Sequence, residues 1–380
     1  MKISRLIIGG DIVPTESNFE LFSSVKVAEL FGDDLLNIFE QADFRVFNLE
    51  VPLADRKSPI MKCGPNLIAP TSTARGIKGI QADLLALANN HILDQGEPGL
   101  FSTLKVLKEN EIDFVGAGSN LQEAAQPFLV DMNRIRIGIY ACAEHEFSLA
   151  SDSSAGANPF DPLESLDHIA DLKNKCDYVI VLYHGGKEHY RYPSPDLQRI
   201  CRKLVDKGAD LVVCQHSHCI GAFESWHSGT IVYGQGNLLF DRSENEFWQT
   251  SLLIEVTLTG ENMSLEYIPI VKCGNTARLA NKQQSGEILE SFNERSRQIL
   301  EAGFIHTEYD KFAANMLNTY LTAFWGDNLM FKVMNRLCGY RIPARMHSNQ
   351  SLTWLRNFVE CEAHRELIIA GLKAEQEKGV

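Results

Sequence analysis

No stretch of this 380-residue chain approaches the roughly 20 consecutive apolar residues needed to cross a bilayer. The short apolar stretch near the N-terminus, Leu6-Ile7-Ile8, is cut off by Gly9, Gly10 and Asp11. It is too short for the apolar region of a signal peptide and lacks a small-residue cleavage site. No CxxC pair occurs either; the nine cysteines, an odd number, are scattered singly. That pattern argues against a disulfide framework and leads to the expectation of a reduced, cytoplasmic setting. Cys142, Cys176 and Cys214 lie in or beside apolar segments and read as small core residues. A phosphate-binding basic cluster is also missing. With 36 Lys and Arg against 49 Asp and Glu, the net charge is -13, which excludes nucleic acid as a principal partner. Such a surface repels polyanions except where bound divalent cations invert the local field. Repeats, heptad seams and low-complexity linkers are absent as well. What is present is ordinary globular material, 44% hydrophobic and 22% charged, long enough for a large core and an extra subdomain.

The most informative segment is Gln215-His216-Ser217-His218, which follows the apolar run Ala209-Asp210-Leu211-Val212-Val213-Cys214. A run of that length reads as a buried strand, so both histidines fall where the chain leaves the sheet. Open α/β sheets place their ligands at that edge, and imidazole is the commonest protein ligand for transition metals. The same layout recurs. Leu6-Ile7-Ile8-Gly9-Gly10 delivers Asp11, and the strand Phe44 to Leu49 delivers Asn48 and Glu50 on one face by its period of two. Leu84 to Ala88 runs into Asn89, Asn90 and His91, with Asp94 and Gly96 beyond; Tyr178 to Tyr183 ends in His184, with Lys187 and Glu188 following. Singly, each has a plainer explanation: Asp11 as a cap, Asn89 and Asn90 as turn residues, a lone histidine as a surface group. His145, His168, His189, His227, His306, His347 and His364 take that plainer reading. Five strand ends of one chemistry point instead to a metal constellation. Cys214 and Cys219 flank the histidine pair but are poor ligands beside hard oxygen and imidazole donors.

Strands and helices alternate to about residue 240, followed by a β-rich stretch and then helices. Helices are predicted near 20–40, 98–110, 164–175 and 195–208, the last opening at Ser194-Pro195. Strands are expected over 113–116, 135–140 and 229–233, and a hairpin over 251–258 and 263–271. The Ser-, Gly- and Ala-rich segment 150–160 reads as a long loop rimming the site. Beyond residue 280 the segments 286–302, 308–337 and 351–377 read as helical, with Phe324, Trp325, Phe331 and Trp354 offering a core. The expected organisation is thus a main domain over 1–280 and a helical subdomain over 281–380.

Several of these motifs resemble those of the capsule-synthesis protein CapA family, associated with poly-γ-glutamate capsules and part of the calcineurin-like metallophosphoesterase superfamily. They are Gly10-Asp11, Asn48 to Leu53, Ala88 to His91 through Asp94 and Gly96, His184 to Glu188, Gly208 to His218, and Gly236 to Asp241. The resemblance covers residues 5–242 in order and implies an α/β/β/α sandwich of the metallophosphoesterase kind, with the helical C-terminal portion outside it.

Carried over residue by residue, the resemblance implies two divalent ions, Mn, Fe or Zn being suited about equally. Asp11 and His218 would bind the first, Glu50 would bridge both, and Asn90, His184 and His216 would complete the second. His91 would stand beside the pair as proton donor, and Asn48, Asp94 and Glu188 would hold imidazoles or loop backbone in place. Two ions about 3.5–4 Å apart acidify a bridging water and clamp the oxygens of the attacked group. Two departures mark the chain: the superfamily commonly has histidine where Val13 stands, and aspartate where Glu50 stands. The CapA family shares both, and they imply a loosely held first ion. Gln215, ahead of the histidine pair, is a third difference and could alter what approaches the ions. The expected activity is metal-dependent hydrolysis of a phosphoester or an amide in an anionic polymer of capsule or exopolysaccharide synthesis, with the capsule-synthesis machinery as partner. The alternative is a non-catalytic accessory protein of that synthesis, and a third is a metal-free module contacting sugar. Loops 55–70 and 145–162 would set specificity, and Asn66, Arg191 and Tyr192 are weaker candidates for contacting an anion.

Overall fold

A computed structural model describes residues 3–377 apart from 243, 261, 324–328 and 340. It divides into two compact units, 1–306 and 307–380.

Within the first unit, every long apolar run becomes a central strand. One sheet has eight strands. Its path runs Thr276–Leu279, Met263–Cys273, Thr250–Leu258, Ser4–Val13, Phe44–Leu49, Leu84–Ala86, Asp113–Val115, and Asn237–Phe240 pairs separately with Ser4–Val13. A second, six-stranded sheet is ordered Phe223–Trp226, Gly229–Val232, Leu211–Gln215, Tyr178–His184, Ile135–Ala143, Phe128–Met132. Strands 4–13, 44–49 and 84–86 are mutually parallel, as are 135–143, 178–184 and 211–215. The C-terminal ends of all but Ile135–Ala143 carry the motif residues.

Strand alternation divides the apolar side chains among three layers. Leu6, Ile8, Val46, Ile139, Ile180 and Val213 meet between the two sheets. Ile7, Phe47 and Leu85 face the other way, against helices that include Asp33–Gln41 and Gly96–Glu109. Val179, Val181 and Val212 face Ser165–Lys173 and Pro195–Asp206 on the opposite outer side. The result is the expected α/β/β/α sandwich, held chiefly by burial of aliphatic surface at about 25 cal/mol per Å². The predicted hairpin is present as Thr250–Leu258 paired antiparallel with Met263–Cys273.

Some elements differ from the sequence reading. The helix expected near 20–40 is three short ones, Phe19–Ser23, Val27–Phe31 and Asp33–Gln41, because Val25 and Gly32 take positive φ of 57° and 73°. The boundary expected at 280 falls at 306. Helix Lys282–Gln298, opened by a capping box between Asn281 and Gln284, packs Phe292 against Phe223 and Tyr267 and so belongs to the first unit. The second unit is helical as expected, but the segment 351–377 breaks at Cys361 into Asn349–Glu360 and Glu362–Glu377. Over the segment 308–337 the described residues are helical, in Phe304–Ala323 and Leu329–Leu337, with 324–328 outside the described residues. Phe331 is buried, whereas Trp354 is exposed and builds no core; Phe324 and Trp325 lie outside the described residues.

Candidate metal centre

Glu50 stands at the centre of the strand ends with both carboxylate oxygens buried and neither hydrogen-bonded. A buried carboxylate that accepts no hydrogen bond is costly unless positive charge stands beside it. Oε1 lies 3.3 Å from His184 Nε2, and Oε2 lies 3.9 Å from His218 Nδ1. Two donor groups thus share this residue. Asp11, Glu50 and His218 form one, and Glu50, His184 and His216 the other, the donor atoms within each lying within 4.8 Å of one another. Asn90 Oδ1, 3.1 Å from His184 Nε2, joins the second. This donor set of oxygens and imidazole nitrogens, with an orphaned carboxylate between them, fits a pair of divalent cations. The structure therefore brings all six expected ligands, Asp11, Glu50, Asn90, His184, His216 and His218, into one cluster.

Backbone conformation does much of the positioning. His216 and His218 both adopt left-handed φ, 88° and 54°. For non-glycine residues that geometry is strained, and here it turns both rings of one loop toward Glu50. On the neighbouring sheet, a Cβ at Gly10 would sit 1.9 Å from the carbonyl oxygen of Gly236. Only glycine permits that approach, which brings Asp11 level with Asn237 in the parallel pair.

Electrostatics distinguish the donors. Burial works against the charged form of His218, but the Glu50 charge and the hydrogen bond and charge of Asp11 outweigh it and push the imidazole up to about 9. Burial opposes ionisation of Asp11 too, yet the hydrogen bond and charge of His218 hold it below the usual carboxylate range. His216 is driven well below the ordinary imidazole value by burial and by the neighbouring His184 and His218. It is neutral near pH 7, with Nδ1 buried and without a hydrogen-bond partner, the form in which an imidazole can take a cation.

The residues expected to support the cluster divide. Asn48 Nδ2 donates to Asp11 Oδ1 at 2.7 Å and lies 3.4 Å from His184 Nδ1. Asp94 is fully buried, 2.6 Å from His91 Nδ1, and also accepts from the backbone N–H of Leu67. That contact leaves Nε2 of His91 as the nitrogen able to exchange a proton. Glu188, by contrast, is half-buried and forms no hydrogen bond with the described ligands; its charge acts on neighbouring His189. The Gln215 side-chain amide donates to the Gly9 carbonyl and to Gln235 Oε1. Cys214 packs in the outer layer, close to Cys201, outside both donor groups.

Four supporting residues carry no signal of period or spacing, although Asn237 falls within the Gly236–Asp241 motif. Lys62 reaches in from the 55–70 loop to pair with Asp94, 3.3 Å from His91 Nδ1. Glu146 accepts from Asn90 Nδ2 at 2.7 Å. Asn237 Oδ1 lies 2.8 Å from His218 Nδ1. Trp248 covers His218 at 4.6 Å between ring centroids and donates to His189, one of the histidines given the plainer reading. Beside Val13 and Val51, each close in sequence to a cluster residue, opens a cavity of about 600 Å³ lined by Lys57, Asn66 and Arg242. Arg191 instead holds the Ile220 carbonyl and lies over the Phe247 ring.

Comparison with known proteins agrees in extent with the motifs. The family described as "Bacterial capsule synthesis protein PGA_cap" matches residues 5–242. The capsule biosynthesis protein CapA of Bacillus anthracis is 31% identical over 212 residues, covering 53% of this chain and 52% of that protein. The PGA biosynthesis protein CapA of Bacillus subtilis is 27% identical over 227 residues, 57% of this chain and 60% of that one. The chain thus spans little more than half the length of these relatives. Among solved structures, a phosphatase from Mycoplasma pneumoniae superposes with a TM-score of 0.47 at 15% identity, over 72% of this chain and 95% of that one. A 5'-nucleotidase precursor from Thermus thermophilus gives 0.39 at 15% identity, over 77% and 58%.

Proposed function

The chain belongs to the bacterial capsule synthesis protein PGA_cap family, and from that membership and the donor set we propose that it is a hydrolase dependent on two divalent metal ions. It cleaves a phosphoester or an amide bond in an anionic polymer of capsule synthesis. The observation that carries this is the placement of Glu50, a buried, unbonded carboxylate with one oxygen toward each donor group. Bound there, divalent ions supply Lewis acidity toward the oxygens of the scissile group and activation of water.

The chain's own residues divide the remaining work. Asp11 and His218 would hold one cation and Asn90, His184 and His216 the other, with Glu50 between the two groups. Asp94 orients His91, whose ring remains a tenth exposed and is the proton donor to the leaving group. Asn48 holds Asp11 and faces His184, keeping ligands from the two groups in fixed relation. Trp248 and Phe240 pack their rings against His218.

A second reading, a non-catalytic accessory protein of polymer synthesis, draws on relatives in Mycobacterium tuberculosis named as polyglutamine synthesis accessory proteins, 29% identical over 256 residues. An accessory protein needs the metal ligands but not the His91–Asp94 pair. Elemental analysis of protein purified without chelators, with His218→Ala and His184→Ala alongside, tests the metal centre. About two ions per chain, lowered by either change, are expected; an absence of bound metal even after incubation with manganese or zinc sinks it. Screening phosphoesters and γ-glutamyl amides with the loaded protein then separates enzyme from accessory.

A further inference from the structure

The two donor groups are not chemically alike, and the difference turns on Asn237. Around Glu50, one side offers two imidazoles, His184 and His216, with the amide oxygen of Asn90. The other offers a single imidazole, His218, with the Asp11 carboxylate. Val13, two residues beyond Asp11, is apolar and packed in the core, so no further donor comes from that strand.

A donor does come from the adjacent strand. Asn237 is the parallel-register partner of Asp11, brought level with it by the Gly10–Gly236 approach. Its Oδ1 is 2.8 Å from His218 Nδ1, and that same nitrogen is 3.5 Å from Asp11 Oδ2 and 3.9 Å from Glu50 Oε2. Donors adjacent on one ion with bonds near 2.1 Å stand about 3 Å apart, so this spacing suits a shared cation. Without metal, Nδ1–H donates to the amide oxygen. With Nδ1 bound to a cation, that hydrogen is gone, and the oxygen at 2.8 Å has no donor left unless it turns to the same cation. The other end of the amide gives no competing reason for its orientation, because Nδ2 is buried without a partner.

Building on the two-metal reading above, we propose that Asn237 is the fourth protein donor to the Asp11 subsite. The centre is consequently heterobimetallic. Three oxygen donors and one imidazole make the Asp11–Asn237 subsite the harder of the two, the one that takes Mn²⁺ when manganese is in excess. The two imidazoles select Zn²⁺ or Fe²⁺ at the His184–His216 subsite.

The test loads wild-type, Asn237→Ala and Asn237→Asp protein from a mixture in which Mn²⁺ is in large excess over Zn²⁺. It reads stoichiometry by elemental analysis and locates each metal in crystals by anomalous scattering at both absorption edges. The expected wild type holds one manganese and one zinc per chain, the manganese within about 2.5 Å of Asn237 Oδ1. Asn237→Ala loses manganese affinity about tenfold or more and keeps its zinc, while Asn237→Asp, nearly isosteric, tightens manganese. Two bound ions with Asn237 Oδ1 more than about 3 Å from either overturn the donor assignment alone. Unchanged manganese affinity in Asn237→Ala does the same, and two zinc ions in wild type overturn the selectivity. A wild type that binds neither metal sinks the two-metal reading itself, a distinguishable failure.

Discussion

Glu146 accepts a hydrogen bond from the Asn90 side-chain amide at 2.7 Å, and this fixes which end of Asn90 faces the cluster. With Nδ2 engaged, Oδ1 is turned to within 3.1 Å of His184 Nε2. An amide has only one end able to ligate a cation, so Glu146 decides whether Asn90 is a donor at all. Glu146→Ala is expected to weaken metal binding at the His184–His216 subsite by about tenfold to a hundredfold. The Asp11 subsite is expected to be little changed. Zinc titration followed by calorimetry reads this directly, and equal affinity in wild type and variant would refute the role.

His91 and Asp94 form the next test, since the proposed proton donor stands apart from the proposed ligands. His91→Ala is expected to abolish turnover of any substrate the loaded protein cleaves while leaving two ions per chain. Loss of general acid catalysis alone accounts for about a hundred- to ten-thousandfold. A variant with undiminished turnover would remove the catalytic reading and favour an accessory role.

Much of this arrangement is legible in the sequence, and the legible part has a physical cause. A buried parallel strand must be apolar on both faces, so its end is marked by the first polar residues; Asp11, Glu50, Asn90, His184 and His216 are all found that way. Glu146, Lys62 and Trp248 could not be, because they reach the cluster from loops, where no period links position to direction. Asn237 sits at the start of its strand, and its partnership with Asp11 depends on a parallel pairing that residue spacing does not encode. The expectation of one helix near 20–40 failed for a similar reason. Its apolar spacing is helical throughout, but Gly32 at φ 73° redirects the chain so that Leu30, Phe31 and Leu35 can all be buried.

Lys62 and Asp94 are an ion pair with side-chain exposures of 2% and 0%. Truncating one partner strands the other's charge in a medium that cannot solvate it. Lys62→Met is expected to lower stability by about 3–5 kcal/mol, measured by denaturant unfolding of the metal-free protein. It also frees Asp94 and His91 to reorient, so turnover is expected to fall further than stability alone explains. A loss below about 1 kcal/mol would mean the pair is solvated as a surface pair is.

Protons and cations compete at His218. Because Glu50 and Asp11 raise its imidazole to about 9 despite burial, the metal-free protein carries a proton there at pH 7. A ligand nitrogen must shed that proton, so filling the Asp11 subsite is expected to release about one proton and to tighten as pH rises from 6 toward 9. Calorimetry in buffers of differing ionisation enthalpy counts it. For the metal-free protein the sign of the stability effect is opposite. The raised imidazole contributes fully below its unfolded value of about 6.5, and the contribution is lost as pH rises through about 9. Chelated protein is therefore expected to melt at lower temperature at pH 9.5 than at pH 7, and loaded protein to show a smaller difference.

Gly10 separates the geometry of the Asp11 subsite from its chemistry. A methyl group there would overlap the Gly236 carbonyl oxygen, a contact with backbone that no rotamer change relieves. The strands must part, and as they do Asn237 moves away from Asp11 while the His184–His216 loops, on the other sheet, keep their places. Gly10→Ala is expected to cost about 1–3 kcal/mol of stability from overpacking and to weaken the Asp11 subsite at least as much as Asn237→Ala. Zinc at the other subsite is expected to remain. Comparing manganese and zinc content of the folded variant decides the matter. Equal loss of both metals would mean the two sheets move as one body and the subsites are not separable.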